Sequence, residues 1–323
     1  MSFPVHRMRR LRKNENIRRM VRECSIGVNN LIYPIFAVHG KGIRNEIRGL
    51  PGNYHFSIDK IGDEAEEIAS LGIPAVLLFG IPEKKDPNAS EAYAEDGIVQ
   101  RAIKEIKNRV PELVVITDVC LCEYTEHGHC GIIKNGYLEN DSSLELIGRV
   151  TVSHALAGAD MVAPAAMLDG QIKTMRNVLD KNHFDQVAIM AYSAKYASKL
   201  YDIFFKHGTG GVLTFGNKKT HQMDFANSDE ALREMFLDIE EGADIIMVKP
   251  GMMYLDIVYR AKSEFKMPLA VYNVSGEYAM IKAAAREKQI DENEMRYEIM
   301  TAFRRAGADL IITYHAKEIA SQL

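Results

Sequence analysis

The sequence is poor in the features that would place it in many common classes. It has only four cysteines in 323 residues, and three of them are bunched at 120, 122 and 130. Such spacing does not suit a secreted disulfide framework; in a reducing compartment a bunch of this kind points to metal or catalysis. No apolar run approaches the roughly 20 residues of a membrane helix, and no signal-like apolar stretch follows the N-terminus. A soluble, cytoplasmic protein is therefore expected. The formal net charge of −4 and pI near 6.2 give no general argument for nucleic acid or membrane partners. Neither G-x-G-x-x-G nor a P-loop occurs, and no linker rich in Pro, Gly or Ser divides the chain. With 47% apolar residues, a sizeable core can be buried.

Charge is uneven at one place. Residues 7–22 carry Arg7, Arg9, Arg10, Arg12, Lys13, Arg18, Arg19 and Arg22 against Glu15 alone. A nucleic-acid arm or a transit peptide would fit. The aromatic interleaving used for base stacking is absent, however. A solvated or subunit-contacting arm over residues 1–30 is the plainer expectation.

Eight short apolar runs alternate with longer amphipathic segments. The runs are 31–38, 75–79, 113–118, 160–164, 187–192, 244–249, 269–273 and 309–313. Continuous apolar runs of this length suit strands buried on both faces, as in a parallel sheet. Helical patterns lie between them, for example 57–71, 228–241 and 277–287. The triplet Gly-Ala-Asp recurs at 158–160, 242–244 and 307–309, each time where a helical pattern ends and a strand begins. Glycine at a helix C-terminus directly before a strand is expected αβ-loop chemistry. Repetition of the triplet argues for stacked β/α units. Eight units predict an α/β fold of the (β/α)8 TIM-barrel type over residues 31–323, preceded by the arm; a doubly wound open sheet is the alternative.

In such barrels functional groups gather at the C-terminal ends of the strands. Those ends carry Asp118 with Cys120, Cys122 and Cys130; Tyr192, Ser193 and Lys195; Lys249; Asn273 and Ser275; and Thr313 and Tyr314. Lys249 closes the apolar stretch Ile245-Ile246-Met247-Val248, so it points into the barrel mouth. A free lysine has a pKa near 10.4, leaving about one in 2,500 neutral at pH 7. Desolvation and a second ammonium nearby can bring one into the neutral range. Two lysines on adjacent strands, with no acidic neighbour in either strand, favour imine chemistry over a pair of structural ion pairs.

In the stretch 118–131 (DVCLCEYTEHGHCG), Cys120 and Cys122 share a face and the loop can return Cys130 to them. Three thiolates are good zinc ligands and leave the fourth tetrahedral position open for catalysis; His127 or His129 in that position would instead make a closed structural site. Three thiolates also cancel the zinc charge, so bound water would be less acidified than on three imidazoles. Asp118 is a candidate acid–base group. Cys24, in the arm, reads as an ordinary thiol.

These residues resemble the porphobilinogen synthases, also called 5-aminolevulinate dehydratases. The resemblance runs over essentially the whole chain. It includes RMRRLR at 7–12, LIYP at 31–34, VLLFGIP at 76–82, the cysteine stretch, AYSAKYA at 191–197, MVKP at 247–250, YLD at 254–256 and YNVSGEYA at 272–279. It implies a barrel whose arm embraces a neighbouring subunit, commonly in an octamer. It also implies condensation of two 5-aminolevulinate molecules to porphobilinogen with loss of two waters, in tetrapyrrole (heme) synthesis. Lys195 and Lys249 would be the Schiff-base lysines, and Cys120, Cys122 and Cys130 the ligands of a catalytic Zn2+. Ser275 and Tyr314 would bind the carboxylate of the substrate on Lys249, with Tyr192 also lining the pocket. Glu234 falls where many bacterial members bind an allosteric Mg2+.

Departures fall near the site. After Lys195 the family usually reads Tyr-Gly-Pro-Phe-Arg, and that arginine grips the first substrate's carboxylate. Here the stretch is Tyr201-Asp-Ile-Phe-Phe-Lys206, and Lys206 cannot reproduce a bidentate arginine fork. Lys218 stands at the next cationic position. The family's Ala-Pro-Ser is Ala163-Pro164-Ala165, losing a hydroxyl. Besides the synthase, a class I aldolase-type lyase on another keto acid and a metal-binding relative without turnover remain compatible with these changes.

Overall fold

A computed structural model describes residues 2–323. Eight parallel strands close a barrel: β1 (Leu31–Val38), β2 (Ala75–Ile81), β3 (Val114–Val119), β4 (Met161–Pro164), β5 (Ala188–Lys195), β6 (Ile245–Lys249), β7 (Leu269–Asn273) and β8 (Leu310–Thr313). Helices separate successive strands, so the expected (β/α)8 architecture is present and the open sheet is not. The predicted bounds of β1 and β7 are reproduced, and the others shift by a few residues at their ends.

Alternation along each strand divides the apolar residues between two layers. In β1, Ile32 and Phe36 join the cluster that holds Met247 and Ile312, whereas Leu31, Tyr33, Ile35 and Ala37 pack beneath the helices. Ala75, Leu77 and Phe79 of β2 follow the first set, and Val76 and Leu78 the second. Both faces are apolar, which is why the strands appear in the sequence as unbroken runs.

The Gly-Ala-Asp triplets now have a physical account. Gly158, Gly242 and Gly307 adopt positive φ (105°, 104° and 115°) at helix ends, where a Cβ would be strained. The following aspartate pins the neighbouring strand at a single residue. Asp160 donates its N–H to the Val115 carbonyl and accepts the Val115 N–H at 2.8 Å. Asp244 does the same to Ile189, and Asp309 to Leu269. Lys107 and Lys262 neutralise Asp160 and Asp309 at 2.7 and 2.6 Å.

The ring is thinly joined in two places. β1 meets β8 only at Leu31–Ile311 and Ile32–Ile312; its upper edge pairs instead with the short strand Tyr54–Ser57. β4 meets β5 only at Met161–Ala188 and Val162–Ile189.

After β5 the chain forms a lid. A 3-10 turn (Lys199–Tyr201) and a π turn (Phe204–Gly208) cross the mouth. The Phe204 ring lies 4.9 Å from Phe79 and 5.9 Å from Phe36. His55 Nε2 meets the Gly208 carbonyl at 2.7 Å, and Lys85 donates to the Gly210 carbonyl at 3.1 Å. At the other end of the chain, the described part of the arm, from residue 2, buries no side chain before Ile26.

Candidate active site

β5 and β6 bring the two lysines together through an irregularity. Ile246 pairs with Ala191, but Val248 pairs with Ala194 and Lys249 with Lys195, so β5 holds one extra residue. In a regular strand Tyr192 and Lys195, three apart, would face opposite sides. The bulge turns both inward. Lys249 Nζ lies 4.8 Å from the centre of the Tyr192 ring and Lys195 Nζ 5.5 Å. Both lysines are buried, at 5% and 7% exposure. The strand also runs on to Lys195, beyond the Tyr192 end expected from sequence.

Aromatic rings enclose the Lys249 amine: besides Tyr192, the Tyr272, Tyr201 and Phe204 ring centres lie at 4.3, 5.3 and 5.4 Å. Loss of water, followed by the charge of Lys195, lowers its pKa from 10.5 to about 7, against the opposing pull of Asp118 and Glu123. Lys195 donates to the Ala165 carbonyl. Asp118 lies near enough for its charge to act on both amines. Enclosure, then the charge of Glu123, pushes its carboxyl well above the usual range, although the two ammonium groups hold it back.

The cysteines form the second half of the site. The three Sγ atoms lie within 4.8 Å of one another, with 3.3 Å between Cys120 and Cys122, and all are buried free thiols. Among the described residues neither His127 nor His129 joins this group. His129 Nε2 is at 3.1 Å from the Phe215 carbonyl, and His127 Nδ1 accepts the His129 N–H. Among the described residues no histidine, aspartate or glutamate joins the three sulfurs. Hydrogen bonds from Cys120 and Cys122 draw the Cys130 thiol well below its usual pKa, while the same contacts push Cys120 up.

The sequence model for delta-aminolevulinic acid dehydratase matches residues 5–322. The chain belongs to that family. It is 52% identical to the delta-aminolevulinic acid dehydratase of Synechocystis sp. over 99% of each chain. Identity to the Methanothermus sociabilis dehydratase is 51% over the full length of both. Among solved structures, the delta-aminolevulinic acid dehydratase (porphobilinogen synthase) of Toxoplasma gondii, in complex with its reaction product porphobilinogen, superposes with a TM-score of 0.95. It is 40% identical, covering 98% of this chain and 91% of that one.

Within this dehydratase fold the remaining candidates separate. Ser275 and Tyr314 stand at the mouth, but each is engaged: Ser275 Oγ accepts the Phe204 N–H and donates to the Leu200 carbonyl, both at 3.1 Å. The Tyr314 hydroxyl lies 3.3 Å from that of Tyr272. Lys218 is turned toward the cysteines. Burial works against its charge, but the sulfurs of Cys122, Cys130 and Cys120 and the Glu123 carboxyl outweigh it and its pKa rises. Lys206 is exposed on the lid, 3.7 Å from Asp202. Glu234 lines a polar cleft of about 520 Å3 with Asp169, Glu230 and Asp238. Sequence reasoning missed Tyr272, Tyr201, Phe204 and Glu123. Tyr272 was within reach, since alternation from the inward Ala270 turns it inward too; Tyr201 and Phe204 come from the lid, where no periodicity applies.

Proposed function

We propose that this chain condenses two molecules of 5-aminolevulinate to porphobilinogen with release of two waters, as a zinc-dependent hydro-lyase of tetrapyrrole (heme) synthesis. The observation that carries the reading is the register pair Lys195–Lys249 at the barrel mouth, with one amine caged by aromatic rings beside three converging thiols. A neutral Lys249 amine attacks the ketone carbon of one substrate; a C–N bond forms and the oxygen takes a proton. The hydroxyl then leaves as water, giving a cationic imine. Asp118, its carboxyl pushed up toward the protonated form, would deliver that proton. Lys195 engages the second substrate in the same way. The imine on one substrate acidifies its adjacent carbon, which loses a proton and attacks the imine carbon of the other. Transfer of the first imine to the second substrate's amine frees one lysine, and elimination from the newly bonded carbon, with loss of a proton, frees the other as its amine.

The donor set fits a metal. Tetrahedral zinc with Zn–S near 2.3 Å needs sulfurs about 3.8 Å apart; here all three lie within 4.8 Å of one another, with Cys120 and Cys122 at 3.3 Å. Cys120, Cys122 and Cys130 would hold it, supplying a Lewis acid that polarises a carbonyl or orders an amino group. Lys218 beside the thiolates, with Ser275, Tyr314 and Tyr192, would bind the acidic substrates; Lys206 would do so only after lid movement. Mg2+ at Glu234 and a cytoplasmic location belong to the same reading. So does a homo-octamer joined through residues 1–30, supported by exposed Phe3, Val5, Met8, Leu11 and Met20 on the arm. No helix among the described residues is long and apolar enough to cross a membrane.

The test is incubation of the zinc-loaded protein with 5-aminolevulinate, scoring pyrrole and trapping imines by borohydride. Pyrrole that disappears on chelation and returns with zinc is the expected result. A trapped imine without pyrrole would favour an aldolase-type lyase instead. Neither signal would mean that the site does not turn over.

A further inference from the structure

Glu277 lies in the first turn of the helix Ser275–Arg286 and is fully buried. Part of its role is local. Its Oε2 accepts the Val274 N–H at 2.9 Å, as a glutamate at the third helical position does for the residue before the helix. The same oxygen accepts from Asn273 Nδ2 at 3.1 Å. Helix capping does not require what the other oxygen does. Oε1 accepts the N–H of Met252, 25 residues away, at 2.6 Å. Met252 opens the turn that leaves β6 directly after Lys249-Pro250-Gly251. Asn273 in turn accepts from Thr313 Oγ1 at 2.9 Å, one residue before Tyr314.

We infer that Glu277 is a positioning residue for imine formation: its carboxylate ties the turn after Lys249 to the end of β7, fixing the Lys249 amine relative to Ser275 and Tyr314. The inference rests on the reading of Lys249 given above. Its chemistry is specific, because each group around the carboxylate is a donor. A glutamine of the same shape would turn one N–H2 against either Met252 N–H or Val274 N–H, leaving buried donors unpaired. An aspartate, one methylene shorter, keeps an acceptor near Val274 but loses the reach to Met252. Displacement of a reacting group by about 1 Å can lower turnover on the order of 10²-fold without contact to the chemistry.

The experiment uses full-length, zinc-loaded protein with 5-aminolevulinate as the probe. Cyanoborohydride trapping followed by peptide mass mapping scores label at Lys249 and Lys195 separately, alongside kcat, KM and far-ultraviolet circular dichroism. Glu277→Gln is compared with Glu277→Asp and with Met300→Ala, a buried change in the outer layer that destabilises without touching the mouth. The expected result is that both Glu277 variants lose label at Lys249 and about 10²-fold in kcat, with KM and Lys195 label near the wild type. Should Glu277→Gln not fold, Glu277→Asp alone carries the comparison. Wild-type labelling at Lys249 in the folded variants overturns the inference. So does a parallel loss at both lysines that tracks lost helix content, as in Met300→Ala, since that is merely structural. Absence of Lys249 label in the wild type instead sinks the proposed function, and this inference with it.

Discussion

Replacing Lys249 by methionine should make the protein more stable while abolishing turnover. The lysine is 5% exposed, so solvent screens it little. A lowering of its pKa from 10.5 to about 7, at about 1.36 kcal/mol per unit, sets a ceiling of roughly 5 kcal/mol on the penalty for holding the charged form in the fold. Met fits the same straight slot among Tyr192, Tyr201, Phe204 and Tyr272 and has no charge to desolvate. The sign follows from proton counting. Below pH 7 folded and unfolded chains both carry the proton, and the wild type bears the full penalty. Between about 7 and 10.5 the unfolded chain holds a proton that the folded one has released, so wild-type stability rises with pH. Urea unfolding followed by circular dichroism, at pH 6.5 and 9.5 in zinc-buffered solution, should show Lys249→Met ahead by a few kcal/mol at the lower pH, with most of the lead gone at the higher. A variant no more stable at pH 6.5, or ahead by the same amount at both, would refute the claim that burial holds this amine uncharged.

Other expectations concern the remaining parts of the site and the barrel base. Imine trapping at Lys249 should have an acid limb near pH 7, falling about tenfold per unit below it; a rate flat down to pH 5.5 would contradict the lowered pKa. Cys130→Ser should reduce bound zinc, measured by atomic emission, together with pyrrole formation. Full zinc content in that variant would remove Cys130 from the ligand set. Asp309→Ala strips the Leu269 N–H of its partner and Lys262 of its counter-charge, so unfolding should become easier by about 1–3 kcal/mol, with kcat unchanged.

Much of this arrangement could be read from residue order, for identifiable reasons. Strands buried on both faces give unbroken apolar runs, and 31–38 and 269–273 end where the hydrogen-bonded ladders do. The Gly-Ala-Asp triplets were visible as helix stops, although nothing in the sequence said that each aspartate would close on one residue of the strand before it. Lys195 and Lys249 could be placed at strand ends, but not in register. That depends on one surplus residue in β5, and a two-residue period cannot register it. The Ala165 departure looked like a lost hydroxyl; the structure uses the backbone carbonyl there, which every residue supplies. The cage around Lys249 draws Tyr201 and Phe204 from a lid without regular periodicity. Their positions depend on tertiary contacts with Phe36 and Phe79.

The two sparse joints in the ring lie four strands apart and divide it into equal halves. One half, β1 to β4, carries Asp118 and leads into the cysteines; the other, β5 to β8, carries both lysines and leads to Ser275 and Tyr314. Small hinging motions are cheapest where backbone bonds are few. Here, however, the side chains of the site lock the halves together: Lys195 donates across the second joint to the Ala165 carbonyl, and Phe204 of the Lys249 cage packs on Phe36 and Phe79 of the first half.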